Sequence, residues 1–395
     1  MILTAQQPQL RMSVVVAETA SELQTHVAAW ESLGANAIEP NPFYEPWMLL
    51  PALRHLGAQS RLIFVLIYGS DASHEHGDVL CGLFPLELRP RYRSLPLPYL
   101  RLWKHDYCFL CTPLLRTGYS LPALRAFFDW AVSAANDRGI VEFGFVPAEG
   151  CFHDCLQQCL GSKDWPVFHS MQYSRPFLLK PANPEQYLRD ALSPKSISTL
   201  GRHSRRLSEI ANLEFASLQT SGDVRSWIQT FLELEASGWK GQAGTAMNCR
   251  ENHRDFLESI VTAAFDRKQV QMEALLIGAR QVAARCCLRS GRGLFVFKVA
   301  FDEHYARYSP GMLLEVECIR RLSAETDIDW ADSCAAPDHP MWGRLWKQRR
   351  AIETVAVATK GVFSRRTISV MPTARNWYLA LRRLSRLDRQ TGSVL

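Results

Sequence analysis

The residues best suited to chemistry gather in the second half of the chain. Ser309-Pro310-Gly311 sits where a strand ends and a helix begins. A helix start leaves backbone N–H groups unpaired and presents the positive end of the helix dipole, which together attract anions. Proline at the first helical position gives up no useful N–H, and glycine lets a phosphate approach the backbone closely. Ser309 can cap the helix or bond a phosphate oxygen; the same tripeptide also reads as a turn that merely starts a helix. Close by in sequence lie three titratable side chains, His304, Tyr305 and Tyr308, and a cation, Arg307. Glu235 ends an amphipathic helix, and Trp239 and Lys240 follow Gly238. A tryptophan beside a lysine can stack on a sugar ring and neutralise an acid, or can anchor a core next to an exposed charge. Asp338 and His339 precede a stretch with Trp342 and Trp346 at i,i+4 spacing, read as two core-facing rings on an amphipathic helix over Met341–Gln348.

Other stretches suggest metal or polyanion binding and read more simply as structure. Cys108-x2-Cys111 and Cys151-x3-Cys155-x3-Cys159 have thiols for zinc, with His105 or His153 nearby. They lack a paired zinc-ribbon pattern and fall on apolar runs, where free cysteine behaves as a small hydrophobe, so no metal is expected. Lys195, Arg202, His203, Arg205 and Arg206 form a basic stripe that reads as a solvated helix face, partly offset by Glu209 and Glu214.

These residues have to be positioned by a recognisable set of elements. The periodicities predict, for the first half, a strand Ser13–Ala17, helices Ser21–Leu33 and Glu45–Leu56, and strands Arg61–Tyr68, Val79–Leu88 and Leu100–Leu110. The helix Ser120–Ala135, strand Ile140–Val146, helix Phe152–Leu160 and strand Tyr173–Leu179 complete it, with His74–Asp78 as a hairpin loop. Linking helices follow at Glu185–Leu192 and Lys195–Ile210. The second half then reads as a strand Leu213–Leu218, a helix capped by Asp223 running through Glu235, and a helix Arg254–Arg267. Three strands come next, Val270–Ile277, Val282–Leu288 and Gly293–Ala300. The half ends with a helix Pro310–Ala324, a strand Ile328–Asp332, the helix Met341–Gln348 and a strand Ile352–Ala358. Both halves have the order β-α-α-β-β-β-α-β-α-β, without matching sequence.

That order, used twice, resembles the GNAT superfamily of acyl-CoA N-acyltransferases. Tandem units resemble the Fem-type peptidyltransferases and the acetyltransferases of cellulose and exopolysaccharide biosynthesis. The local sequence is most similar to the latter, through Asn41–Trp47 (NPFYEPW), the Arg pairs of Leu200–Leu207, Phe231–Gly241 (FLELEASGWKG) and Phe301–Leu314 (FDEHYARYSPGMLL). The resemblance covers most of residues 12–358. It implies an α/β fold with mixed sheets, a tandem duplication of the GNAT fold. Residues 1–180 would be a structural or acceptor-side unit, 181–360 an acyl-CoA-binding catalytic unit, and 361–395 a basic tail.

The resemblance also implies roles. CoA would bind between the splayed fourth and fifth strands of the second unit, along Lys298, Val299 and Ala300. Its pyrophosphate would meet Arg307, Ser309, Pro310, Gly311 and Met312. The usual [QR]-x-x-G-x-[GA] loop is altered, because Pro310 stands three residues after Arg307 and Gly311 comes one late. A backbone N–H near Val299 would hold the oxyanion. Tyr305 or Tyr308 would be the acid for the leaving thiolate, and Glu235, or else His304, the base. Trp239, Lys240, Asp338 and His339 would border the acceptor. The first unit lacks the Ser-Pro-Gly mouth in its corresponding turn, Cys111–Ser120, and is expected to be structural.

Composition narrows the function. The 395 residues are 47% hydrophobic and 21% charged, an ordinary globular balance. The net charge of +6 sits in residues 361–395, which hold seven Arg and one Asp, so the body is balanced and no nucleic-acid partner is expected. Thr373–Arg389 reads as an amphipathic helix with Trp377, Leu381, Leu384 and Leu387 on one face, suited either to an anionic membrane surface or to packing across the halves. No apolar run approaches ~18 residues, no secretory leader is apparent, and an odd number of cysteines fits a reducing cytoplasm. G-x-S-x-G, G-x-x-x-x-G-K-[ST] and H-E-x-x-H are absent. The leading expectation is acyl-CoA-dependent transfer, using acetyl-CoA or another acyl-CoA, to an amine on a sugar, polysaccharide precursor or related small molecule. A Fem-like ligase taking aminoacyl-tRNA and a non-catalytic scaffold in exopolysaccharide assembly are the alternatives.

Overall fold

The computed structural model describes residues 11–57, 60–70, 78–133 and 138–373. The first half runs β1 (Arg11–Ala17), α1 (Ala20–Gln24), α2 (Val27–Ala35), α3 (Pro46–Leu56), β2 (Leu62–Ser70), β3 (Val79–Arg89) and β4 (Tyr99–Leu102). The two-residue β5 (Leu114–Leu115), α4 (Ser120–Ser133), β6 (Ile140–Pro147), α5 (Cys151–Gly161) and β7 (Val167–Leu179) follow. The linkers α6 (Pro184–Ala191) and α7 (Pro194–Ser208) lead to β8 (Leu213–Ser217), α8 (Val224–Ser237), α9 (Trp239–Gln242) and α10 (Glu251–Asp266). The chain closes with β9 (Val270–Ile277), β10 (Arg280–Ser290), β11 (Gly293–Phe301), α11 (Pro310–Leu322), β12 (Trp330–Asp332), α12 (Trp342–Leu345) and β13 (Gln348–Ala358). The repeated order of elements is present, and the fold is of the α/β class.

The two units share one mixed sheet, ordered β1-β2-β3-β4-β6-β13-β7-β12-β11-β10-β9-β8. Its two parallel contacts among the described strands, β4 with β6 and β11 with β12, occupy equivalent places. The last strands are exchanged. β13, from the second half, lies between β6 and β7 of the first, and β7 lies between β13 and β12. Neither half completes its sheet without the other.

Local chemistry explains most boundaries. Thr19 caps α1 in a reciprocal capping box with Glu22. Ser193 caps α7 ahead of Pro194. Asp223 stands at the start of α8 but does not cap it with its side chain; its carboxylate accepts from Thr220 Oγ1 at 2.7 Å.

Several expectations are corrected. The single helix expected over Ser21–Leu33 is two, broken at Thr25–His26. The strand expected over Leu100–Leu110 ends at Leu102, because the following residues leave the ladder to fill the sheet's opening. The expected helix Met341–Gln348 is only α12, since Gln348 already pairs with Phe177 of β7; pairing extends β13 and β7 beyond what local pattern suggested. Trp342 and Trp346 are nonetheless both buried, as their spacing implied. Cys108, Cys111, Cys155 and Cys159 are buried in the main apolar core, and Cys151 is exposed.

Residues 362–373 form a helix that buries Ile368 against β13 and β7, with Val362, Phe363 and Val370 exposed. The His74–Asp78 loop, apart from Asp78, and the amphipathic helix expected at Thr373–Arg389, apart from Thr373, lie outside the described residues. No helix among the described residues is long and apolar enough to cross a membrane.

Candidate active site

β11 pairs with β12 only over Gly293–Phe295, after which the two strands part. The parting point is fixed by Asp332 at the end of β12, fully buried between Arg175 (2.7 Å) and Arg350 (3.1 Å). Burial opposes the Asp332 charge, but the two guanidinium groups outweigh it and hold the carboxyl below its ordinary range. Beyond this point opens a cavity of about 540 Å³, mostly apolar and of a size usual for small-ligand sites.

One wall is the start of α11. Ser309 adopts φ 53°, ψ 52°, a left-handed conformation that costs a non-glycine residue about 1 kcal/mol. That turn swings the chain out of the 3₁₀ segment Glu303–Tyr308 and starts α11 at Pro310. The N–H groups of Met312 and Leu313 fold back on Ser309 O. No backbone acceptor among the described residues takes the Gly311 N–H, so it and the Ser309 hydroxyl are the donors at the helix mouth. Ser309, Pro310, Gly311 and Met312 all line the cavity.

The facing wall comes from α8 and α9. Gly238 separates these helices, and a side chain there would press on Glu303, which accepts the Trp239 N–H at 2.7 Å. Lys240 is thereby aimed inward. Its Nζ lies 3.1 Å from Glu235 Oε1 and 3.0 Å from Val299 O. Lys298 joins the same carboxylate oxygen at 3.4 Å, and the Met247 N–H donates to Glu235 Oε2 at 2.9 Å. Burial pushes the Glu235 pKa up, but Lys298, Lys240 and the Met247 N–H together bring it below the ordinary value. A carboxylate so engaged on both oxygens is a poor proton acceptor; it anchors two lysines.

The floor holds a charged trio with more acid than base. Arg285 binds Glu273 and, at 3.1 Å, Glu315, whose other oxygen accepts from Trp346 Nε1 at 3.0 Å. One guanidinium cannot neutralise two buried carboxylates, and burial pushes Glu315 up to about 7. His339 also lines the cavity; burial, then Lys240, lowers its pKa, so it is neutral at pH 7. Its Nδ1 faces the Trp342 N–H at 3.5 Å, which favours the tautomer carrying hydrogen on Nε2.

The cavity thus brings together Glu235, Trp239, Lys240, Val299, Ala300, the Ser309–Met312 stretch and His339. Lys298 stands behind Glu235. Five other residues fall elsewhere. Tyr305 and Tyr308 pack against the cluster of Leu207, Leu275 and Leu314 and do not line the cavity, which takes them away from a leaving thiolate. His304 is 85% exposed and tied to Asp302 at 2.9 Å, and Arg307 and Asp338 are exposed outside the cavity. The helical pitch of the segment explains this, since Tyr305 and Tyr308, three apart on a 3₁₀ turn, share one face, and it is the face toward α7. Sequence reasoning missed Arg285 and Glu315. A charged residue inside the apolar run of β10 and another inside the apolar stripe of α11 were the available signals.

Residues 194–357 match the family described as the Acetyltransferase (GNAT) domain. No curated protein matches the sequence. Among solved structures the chain is similar to FemX, at 10% identity and a TM-score of 0.53, over 87% of this chain and 96% of that one. It is similar to a conserved protein of unknown function from Bacteroides thetaiotaomicron VPI-5482, at 11% identity and a TM-score of 0.52, over 88% and 100%. It is also similar to the C-terminal domain (DUF2156) of a putative lysylphosphatidylglycerol synthetase from Agrobacterium fabrum, at 11% identity and a TM-score of 0.50, over 89% and 96%. At these identities the likeness is one of fold. Residues 194–357 therefore carry a GNAT acetyltransferase domain, set in a chain with the tandem GNAT fold.

Proposed function

We propose that the chain is an acyl-CoA-dependent N-acyltransferase of the exopolysaccharide or cellulose type, acting on an amine of a sugar or polysaccharide precursor. The supporting observation is the apolar cavity in the opening between β11 and β12, with the start of α11 at its mouth. An acyl-pantetheine arm would run along β11. The pyrophosphate would meet the Gly311 N–H and the Ser309 hydroxyl. The second half would be the catalytic unit, and the first a support reaching the acceptor side.

In an extended strand the N–H and C=O of one residue leave on the same side. Lys240 holds Val299 O from within the cavity, so the Val299 N–H also points there. That N–H would hold the thioester oxyanion, with the Lys240 ammonium adding positive charge where negative charge develops. The Nε2 hydrogen of His339 would hydrogen-bond the leaving sulfur, and the proton that the acceptor amine loses on forming the amide would end on that sulfur as the free thiol. Glu235 would keep both lysines charged. The acceptor amine would arrive neutral, and Trp239, 59% exposed at the rim, would stack on its sugar ring.

Thermal unfolding with acetyl-CoA tests this. Ligand at ~100 times its dissociation constant adds about 2.7 kcal/mol. Thiol release with glucosamine as acceptor tests the sugar class. An unchanged melting temperature with acetyl-CoA and with longer acyl-CoAs would overturn the reading.

A further inference from the structure

We propose that Tyr107, contributed by the first half, is a positioning residue for the site in the second half, its ring holding the Lys298 ammonium against Glu235 so that Lys240 stays free to serve the cavity. The inference rests on the acyltransferase reading for its consequence, but the contact itself stands on geometry.

The segment 103–113 leaves β4 and fills the first half's own opening, yet Tyr107 turns the other way, toward α10 and β11. Its ring lies parallel to Phe256, with centroids 5.5 Å apart and planes 15° apart. Its hydroxyl is 2.6 Å from His253 Nδ1, and only 6% of the residue is exposed. A ring fixed by a stack and a hydrogen bond presents one constant face. Lys298 Nζ sits 4.8 Å from the centroid of that ring, within cation–π range.

Lys298 reaches this place because β11 is irregular. The β10–β11 register shifts so that Cys286 faces Lys298 while Cys287 faces Val296, leaving Phe297 as an extra residue. Strict alternation would put Lys298 on the face of Leu294 and Val296, toward α11. The bulge moves it to the face of Phe295 and Phe297, toward Glu235 and Tyr107. Bulges beside active sites commonly re-aim a side chain in this way.

Charge counting shows what the ring does. Two ammonium groups, Lys240 and Lys298, share one carboxylate oxygen. The other charged or titratable groups around Lys298 are His253 on α10, Arg250 just before it, and Asp106, whose carboxylate is 4.0 Å from His253 Nε2. The negative face of Tyr107 supplies attraction that Glu235 would otherwise have to supply alone. Without it Lys298 would draw on Glu235 at the expense of Lys240, and Lys240 would lose its hold beside Val299. Burial already favours the neutral form of Lys298, Glu235 opposes this, and Lys240 adds to it.

The test uses the full chain, labelled with ¹⁵N-lysine, with Lys298 assigned through Lys298→Arg. In Tyr107→Leu the Lys298 Nζ titration falls by about one pH unit, the size of one lost cation–π contact. The corresponding limb of the pH profile for acetyl transfer to glucosamine moves with it. Tyr107→Phe keeps the ring and leaves both unchanged. Pentafluorophenylalanine at position 107 keeps the shape, weakens the face, and shifts the titration as leucine does; it decides the matter if the leucine variant does not fold. An unmoved or raised Lys298 titration in the leucine or fluorinated chain, or a phenylalanine variant behaving like leucine, overturns the proposal. On the acyl-CoA reading the pyrophosphate meets the start of α11, away from Tyr107, so a melting shift with acetyl-CoA is expected in all these chains. No shift in the unaltered chain refutes the acyl-CoA reading, while the Lys298 titration still judges Tyr107.

Discussion

The sheet has two openings made by the same device, and they are used in opposite ways. β4 runs parallel with β6 for three residues, Tyr99–Arg101 against Ile140–Glu142, and β11 runs parallel with β12 for three, before each pair parts. In the first half the chain after β4 stays in the gap. Trp103, Cys108, Leu110 and Cys111 are buried there, and Cys111 N–H bonds Phe145 O on β6 at 3.0 Å. Asn41 ties the segment at Leu110 O and Thr112 O, and Arg175 at Phe109 O. In the second half the chain after β11 makes one 3₁₀ segment and enters α11, leaving the gap to a cavity. A GNAT-like topology thus creates an opening, while the length and polarity of the segment after the fourth strand decide whether it becomes core or site. Filling it stabilises the fold; leaving apolar walls open forgoes that gain until a ligand covers them.

The largest expected effect breaks the filled side. Trp103→Ala should cost about 3–5 kcal/mol, as for a large ring removed from a packed core. Urea denaturation measures it, and the melting shift with acetyl-CoA should survive in the folded fraction. Loss of that shift at unchanged stability would show that the first opening takes part in cofactor binding.

The next prediction separates neutral filling from the charged floor of the open side. A carboxyl whose folded pKa is raised favours the folded state below the unfolded value, near 4.5 for Glu315, and loses that contribution as pH rises through about 7. Glu315→Gln cannot ionise. Over this window the unaltered chain should lose roughly 3 kcal/mol relative to the variant, read from denaturation midpoints across pH. Parallel profiles would mean that Glu315 is charged throughout.

Gly311→Val sharpens the comparison from the ligand side. A Cβ at Gly311 meets nothing closer than Met341 Sδ at 3.7 Å, and the γ-methyl groups of valine enter the cavity, so the fold tolerates it within about 1 kcal/mol. It narrows the helix mouth, and the stabilisation of about 2.7 kcal/mol by saturating acetyl-CoA should vanish.

Much of this was legible in sequence. The order of elements survives in both halves because each amphipathic period and strand alternation was local. The site's backbone was legible too, since Ser309-Pro310-Gly311 declares a helix start by chemistry alone. What local pattern could not show was long-range. The exchange of β7 and β13 follows from pairing between residues far apart in sequence, such as Gln348 with Phe177. Lys298 and Tyr107 meet only because a bulge and a detour bring them together. Glu235 was recognised as a site residue, but its use as an anchor depends on Met247 and two lysines that only the fold assembles.

The smallest expected effect concerns the tyrosines. The family resemblance puts Tyr305 and Tyr308 where a proton for the leaving thiolate is needed. In the structure both pack toward α7, Tyr305 beneath Arg280 and Tyr308 beside Arg307 and His203. Replacing both with phenylalanine keeps those ring contacts and removes only the hydroxyls. Acetyl transfer to glucosamine should then stay within about twofold, since an acid acting in the transition state contributes on the order of 10²–10⁴. A hundredfold loss would mean that the 3₁₀ segment rotates when cofactor binds, carrying one hydroxyl into the opening. The second half would then reach its active arrangement only when occupied, while the first is complete as folded.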